Sequence, residues 1–270
     1  MKTLILFFSL VILTACNQAA VNETDTTVPE EKLYSYWPSQ GQAQITYEVI
    51  KESSPAYEVS YPKINNLSPN HPVFQAVNDG YVTDIQTFKS DATTFYSDSD
   101  EAVEASASIP WDYTVEWLGG RYSPKVWSLA FLIYTYQGGA HGNSYTDTYN
   151  YYAPNNKIIT LNDLFAGEEY LPALNKKIMD ALVAEKTERW AEYMENEAYD
   201  VEQDAFLKEV TFDERSLGSW VVSERNGELG ILFFFAPYAV GAYAEGSFEA
   251  FVPASDFQDY LKEEYKEIFE

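Results

Sequence analysis

Two histidines and one cysteine bound the nucleophilic and metal chemistry open to this 270-residue chain. Cys16 lies in the N-terminal leader, so no cysteine remains for a nucleophile in the body of the protein. A structural zinc site of the usual Cys/His type has too few ligands. A Ser-His-Asp triad would need His71 or His141 as its base. His71 stands between Asn70 and Pro72 where a helical pattern begins, and capping that helix or lying on its surface is the ordinary role there. His141 sits in Gln137-Gly138-Gly139-Ala140-His141-Gly142-Asn143, a glycine-rich loop after an apolar strand. Glycine permits positive φ or close approach of the backbone to a partner. No Lys-Ser/Thr pair follows, so this is not a phosphate-binding loop. Three roles stay open to His141: a hydrogen-bonded turn residue, a contact in a binding surface, and a metal ligand or catalytic base. For the last of these the sequence supplies no spaced partner. The chain holds 42 acids, enough for carboxylate pairs to arise by chance. Asp112 and Glu116 flank tryptophans as in some sugar-cleaving clefts, but the separation such chemistry needs is not readable from sequence. No catalytic residue, metal ligand or cofactor is therefore assigned. The candidate binding loop is Gln137, Gly138, Gly139, His141, Gly142 and Asn143, with Tyr145 beside it.

Cys16 has a different chemistry. Lys2 precedes an apolar run from Leu4 to Leu13 that only Ser9 interrupts, and Leu13-Thr14-Ala15-Cys16 follows. A basic start, a short apolar run and small residues before a cut describe a secretory signal peptide over residues 1–15. The run is too short for a lasting membrane span. Its Leu-x-Ala-Cys end resembles a bacterial lipobox, which implies that Cys16 takes a diacylglycerol and becomes the new N-terminus. As the only cysteine it has no internal disulfide partner. Asn17 in place of an aspartate favours the outer membrane, facing the periplasm, in a Gram-negative host. No later stretch approaches spanning length, so lipid is the only membrane anchor expected.

The formal net charge is −25, and loss of Lys2 with the leader makes it one unit more negative. Such a balance argues against nucleic acid, whose phosphates demand basic patches. It favours cationic partners and their long-range steering, although solubility alone also explains it. Hydrophobic content of 46% and aromatic content of 16% exclude general disorder.

Residues 16–40, rich in Asn, Thr, Glu and Gln, read as a flexible tether. Ile45, Tyr47, Val49 and then Tyr57, Val59, Tyr61 alternate with polar residues, predicting a hairpin. Phe74, Val77, Tyr81, Ile85 and Phe88 are spaced for a helix from His71 to Phe95. Strands follow at Trp111–Trp117, Val126–Tyr136 and Tyr145–Tyr151, with Gly119-Gly120 read as a turn. A second helix spans Glu168 to Asn196. Trp220–Val222 and Leu229–Phe235 pair across Asn226-Gly227, a strong hairpin signal. Phe248–Val252 is a last strand, and Asp256–Phe269 a terminal helix. Strands and helices come in blocks, which predicts an α+β class of antiparallel sheets packed with a few helices in two lobes. The lobes are placed at residues 41–100 and 101–270, with the acidic stretch Ser97–Ser108 as junction.

The segment Tyr134-Thr135-Tyr136-Gln137-Gly138-Gly139-Ala140-His141-Gly142-Asn143 carries a family resemblance. With Asn150-Tyr151-Tyr152 and Ile159-Thr160-Leu161-Asn162-Asp163-Leu164-Phe165, it resembles the C-terminal domain of RsiV-type anti-sigma factors. The same domain lies beside the catalytic domain of PdaC-type peptidoglycan deacetylases. Phe235-Ala236-Pro237-Tyr238-Ala239-Val240-Gly241 and Phe251-Val252-Pro253 resemble its closing motif, and residues 44–96 are similar to the smaller domain that precedes it. The resemblance implies an extracytoplasmic module which, in RsiV-like proteins, binds lysozyme. No transmembrane helix, sigma-binding segment or metal-dependent deacetylase domain is recognisable here, so those activities are not carried over. The expected function is that of a non-enzymatic envelope lipoprotein whose partner is lysozyme or another cationic muramidase. Binding of peptidoglycan through exposed aromatic rings is the alternative, and an envelope hydrolase using His141 a second one.

Overall fold

A computed structural model describes residues 44–98, 109–193, 198–208 and 210–270. The signal peptide, Cys16, the tether, most of the Ser97–Ser108 junction and the end of the second helix near Asn196 lie outside the described residues.

The alternating pattern at the start becomes an antiparallel hairpin of β1 (Gln44–Ser53) and β2 (Ala56–Asn65). His71 then caps a short helix, α1 (Pro72–Phe74), by accepting a hydrogen bond from Val73 N at 3.2 Å. A π-helical turn, Gln75–Asp79, leads into α2 (Gly80–Asp98). The single helix expected from His71 to Phe95 is thus broken by a wide turn. That turn places the Asn78 amide against β2, where Oδ1 accepts from Ile64 N at 2.8 Å and Nδ2 donates to Ile64 O at 2.9 Å. Val77, Tyr81, Ile85 and Phe88 of the expected face are buried, joined by Val73 and Ala92, while Phe74 is only half-buried.

Strand β2 pairs in parallel with β3 (Trp111–Tyr122) over Tyr57–Ser60. The chain then runs back and forth through β4 (Val126–Tyr136), β5 (Asn143–Tyr152) and β6 (Lys157–Ile158). The result is a six-stranded sheet in sequential order, antiparallel except for β2 and β3. Gly119-Gly120 does not turn the chain. Gly119, at φ 121°, makes a bulge inside β3, and the turn comes at Ser123–Lys125. Gly120 has its own reason to be glycine, since a Cβ there would stand 2.2 Å from Ser128 O.

The second sheet is antiparallel: β7 (Trp220–Arg225), β8 (Glu228–Phe235) and β9 (Phe248–Pro253). Asn226 and Gly227 take φ of 55° and 79°, the left-handed pair that a tight hairpin turn demands. Before it come a short helix, α3 (Leu161–Leu164), closed by a Thr160–Asp163 capping box, and the long α4 (Tyr170–Tyr193). The C-terminus is not one helix but three 3₁₀ segments, Ala254–Asp256, Gln258–Tyr260 and Glu263–Ile268. Backbone groups there bond elsewhere: Lys262 N donates to Leu164 O and Tyr260 O accepts from Ala166 N, each at 2.8 Å.

These elements stack in layers, an α+β architecture. Helix α2 covers one face of the large sheet through Val59, Val115, Leu129, Phe131 and Ile133. The other face meets the second sheet at Ala130, Val221, Leu232 and Phe234, beside a polar seam. In that seam Ser128 Oγ and Asn150 Oδ1 lie 2.6 Å apart, and Asn150 Nδ2 donates to Trp220 O at 2.7 Å. Helix α4 and the 3₁₀ segments cover the far face of the second sheet, over Ile231, Phe233 and Phe235. Strand β8, buried on both faces, accordingly reads as a continuous apolar run.

Candidate functional site

The β4–β5 hairpin carries the glycine-rich loop at its tip. Gln137, Gly138, Gly139, Ala140, His141 and Asn143 are exposed there. Gly138 and Gly139 both sit at φ 92°, a conformation other residues rarely adopt. Gly142 differs, being buried under the Tyr134 ring; a Cβ on it would fall 2.4 Å from Tyr134 Cζ. Close approach, not chain reversal, makes that position glycine.

His141 lies flat on Tyr243, with ring centroids 3.7 Å apart and planes 22° from parallel. Its Nδ1 is 3.0 Å from Gly142 O, and since a carbonyl only accepts, Nδ1 carries the proton. Tyr243 Oη donates to the same carbonyl at 2.8 Å. Tyr238 completes the group, 5.6 Å from Tyr243 and 6.4 Å from His141. Tyr238 is 54% exposed and holds φ at 72°, a backbone state that non-glycine residues occupy only under constraint. Two motifs about a hundred residues apart thus form one exposed aromatic platform.

Helix α4 holds the chain next to Tyr243. Lys186, only 3% exposed, places Nζ 2.6 Å from Asp204 Oδ2 and 3.3 Å from Glu245 Oε2. Glu245 Oε1 accepts from Ala242 N at 2.5 Å. Arg189 donates to the carbonyls of Glu245 and Ser247, both at 2.8 Å, while its guanidinium stacks 4.0 Å over Phe248. Burial works to raise the Asp204 pKa. The Lys186 ammonium, the Tyr199 hydroxyl and the N–H groups of Leu207 and Phe206 outweigh it and hold the group at about 2. These contacts fasten the chain at Ala242, Glu245 and Ser247, beside Tyr243.

The opposite face of the hairpin holds a second cluster. Asp147 accepts from Tyr149 Oη at 2.7 Å, Thr148 N at 3.0 Å and Tyr81 Oη at 3.2 Å. Burial pushes its pKa up despite those three donors, and the nearby Asp84 adds to the rise. Tyr145 alternates with Asp147 and Tyr149 along β5 and so faces α2. The structure gathers the glycine-rich loop with Tyr238 and Tyr243 but turns Tyr145, though 43% exposed, to the other side.

Among the described residues no carboxylate hydrogen-bonds to His141, and no group of three His, Cys, Asp or Glu side chains could hold a metal ion. The base and acidic orienter of a hydrolase are not assembled around this ring. Asp112 and Glu116 lie four residues apart on β3, their Cα atoms about 13 Å apart along the strand. Sequence reasoning found the glycine-rich loop but missed Lys186, Asp204 and the pairing of His141 with Tyr243. A lysine in an amphipathic helix reads as solvated face, and a contact across a hundred residues leaves no local trace.

Residues 48–144 match the family model described as deacetylase PdaC, and residues 162–255 match that of a protein of unknown function, DUF3298. The chain is 25% identical over 206 residues to the peptidoglycan-N-acetylmuramic acid deacetylase PdaC of Bacillus subtilis. That match takes in 75% of this chain but only 40% of the relative, so the chain spans less than half the relative's length. A solved DUF3298 family protein from Bacteroides fragilis superposes with a TM-score of 0.57 at 18% identity, over 83% of this chain and 96% of the other. Another, from Pseudomonas aeruginosa, gives 0.49 at 13% identity, over 82% and 94%. By these two matched regions in order, the chain belongs to the two-part family that joins a PdaC domain to a DUF3298 domain.

Proposed function

We propose that this protein is a lipid-anchored binding module of the cell envelope that captures a cationic extracytoplasmic protein, a muramidase of the lysozyme kind. The observation that carries the reading is the platform of His141, Tyr243 and Tyr238. It is aromatic, presents His141 and Tyr238 to solvent, and is backed beside Tyr243 by the Lys186 and Arg189 contacts to Glu245, the properties of a hot spot with little ordering cost. His141 spends its Nδ1 proton on a backbone carbonyl, a structural use rather than a catalytic one. The charge of −25 favours fast encounter with a basic partner. The name of the Bacillus subtilis relative places the matched regions in a protein that acts on peptidoglycan, which agrees with an envelope setting.

Replacing Tyr238 with Ala tests the surface. Lysozyme affinity should fall at least about tenfold, while stability changes by less than about 0.5 kcal/mol. Unchanged affinity would remove the platform from the interface. The anchor is tested separately: Cys16→Ala should move the protein from the membrane to the soluble fraction and abolish incorporation of labelled palmitate. A variant that stays in the membrane would end the lipoprotein reading.

A further inference from the structure

Strand β1 is the outer strand of the six-stranded sheet and runs for ten residues, Gln44–Ser53, with β2 as its neighbour. Which of its backbone groups face outward follows from β2. Ile64 N donates to Asn78 Oδ1 and Ile64 O accepts from Asn78 Nδ2, so both groups of Ile64 face away from β1. Across the ladder Ile64 is the partner of Ile45, and Pro62, which has no N–H to give, is the partner of Tyr47. Hydrogen-bonded and non-hydrogen-bonded pairs alternate in an antiparallel ladder. Ile45, Tyr47, Val49, Lys51 and Ser53 therefore direct their N–H and C=O groups to the open edge. Among the described residues no other strand pairs with that edge. Natural sheets blunt such a row with proline, bulges or charge. Strand β1 has neither proline nor bulge, and Tyr47 and Val49 are 49% and 52% exposed. Its charges, Glu48, Lys51 and Glu52, limit the register a partner can take.

We propose that two copies of the chain join at this edge, β1 against β1, antiparallel about a two-fold axis at Val49. An axis normal to the sheet keeps each face continuous, so opposite residues share a face. Centred on Val49, it sets Val49 against its own copy, Tyr47 against Lys51, Ile45 against Ser53 and Glu48 against Ile50. Each outward pair then exchanges two backbone hydrogen bonds. Neighbouring registers are worse. An axis at Glu48 opposes the two copies of Glu48, one at Ile50 opposes Glu48 to Glu52, and one at Lys51 opposes the two lysines. Like charges directly opposite destabilise a pair. An axis at Tyr47 leaves Lys51 and Ser53 unpaired. The register at Val49 avoids all of these and lays the Lys51 ammonium of one copy beside the Tyr47 ring of the other. That ring is already held in place, its Oη accepting from Trp117 N at 2.8 Å. The formal charge of −25 on each copy opposes association, so the dimer strengthens with added salt, the reverse of capture of a basic protein. Strands β2 and β3 separate this edge from the β4–β5 hairpin, so its failure leaves the protein-binding reading untouched.

The test is sedimentation velocity of the purified protein. One strand edge is a small interface, so a monomer–dimer equilibrium should appear between about 1 and 100 µM at physiological salt. Val49→Pro removes the N–H at the axis, a group that a single copy leaves unused. The variant should keep the parent's circular dichroism while its dimer weakens at least about tenfold. A cysteine scan reads the register without proline, on the Cys16→Ala background where the introduced thiol is the only one. Val49→Cys should form a disulfide dimer under mild oxidation, since the axis brings its Cα atoms to about 5.5 Å, within the roughly 4.4–6.8 Å that a disulfide spans. Ile45→Cys, which faces Ser53, should not. Monomer throughout the concentration range, a dimer undisturbed by Val49→Pro, or equal cross-linking at positions 45 and 49 would overturn the proposal. So would a monomeric parent whose lysozyme affinity falls in Val49→Pro, which would give the edge to a segment of that partner.

Discussion

Asp147 and Asp204 are both packed among hydroxyls and N–H groups, yet they carry opposite pH signatures. Among the described residues no cation hydrogen-bonds to Asp147, and burial dominates. Its pKa rises above the ordinary 3.8. Between these values the folded state keeps a proton that the unfolded chain has lost. Its contribution is therefore full below about pH 3.8 and is lost as pH rises through the folded pKa. Asp147→Asn should abolish that loss, so that urea midpoints from about pH 4 to 7 fall less in the variant than in the parent. Parallel curves would assign the pH dependence to other groups. Asp204, held at about 2 by Lys186, contributes stability above pH 3.8 that disappears as pH drops toward 2. Removing it strands a lysine that is 3% exposed. Loss of one partner of a buried pair costs about 3–5 kcal/mol, and the lower end applies because Glu245 remains at 3.3 Å. Asp204→Ala should therefore unfold about 3 kcal/mol more easily in urea. A change under about 1 kcal/mol would contradict the fastening role given to this pair.

At the scale of elements, the glycines of the large sheet are set by neighbours rather than by turns. Gly120→Ala drives a Cβ into the Ser128 carbonyl, so β3 must move off β4, at a cost of about 1–3 kcal/mol in equilibrium unfolding. A neutral result would mean the bulge at Trp117–Gly119 absorbs the change. Much of this layer was legible beforehand. Alternation announced β1, β2 and β5, the long apolar run of β4 announced a buried strand, and Asn226-Gly227 announced the hairpin of β7 and β8. Gly119-Gly120 misled because a glycine pair signals a bulge as readily as a turn. The C-terminal segment misled because Phe257, Leu261, Tyr265 and Ile268 keep helical spacing while the backbone between them bonds to Leu164 and Ala166. The candidate site was half legible. The glycine-rich loop stood out by composition, but its stacking partner lies a hundred residues away and its fastening lysine looks like any surface lysine.

At the scale of the whole molecule, a strongly acidic protein carries a small aromatic surface at the hairpin tip. In the proposed function, charge sets how fast a basic partner arrives and the platform sets how long it stays. The association rate should fall steeply with added salt while the dissociation rate changes little. A dissociation rate that rises in step with salt would instead mean that diffuse attraction does the holding. The central claim is tested most directly by calorimetric titration of the purified protein with lysozyme at low salt and at about 150 mM, where the Debye length is about 8 Å. The account predicts a saturable one-to-one isotherm at both salts, weaker but intact at the higher one. Heat that vanishes at physiological salt, or no heat at either, would contradict it.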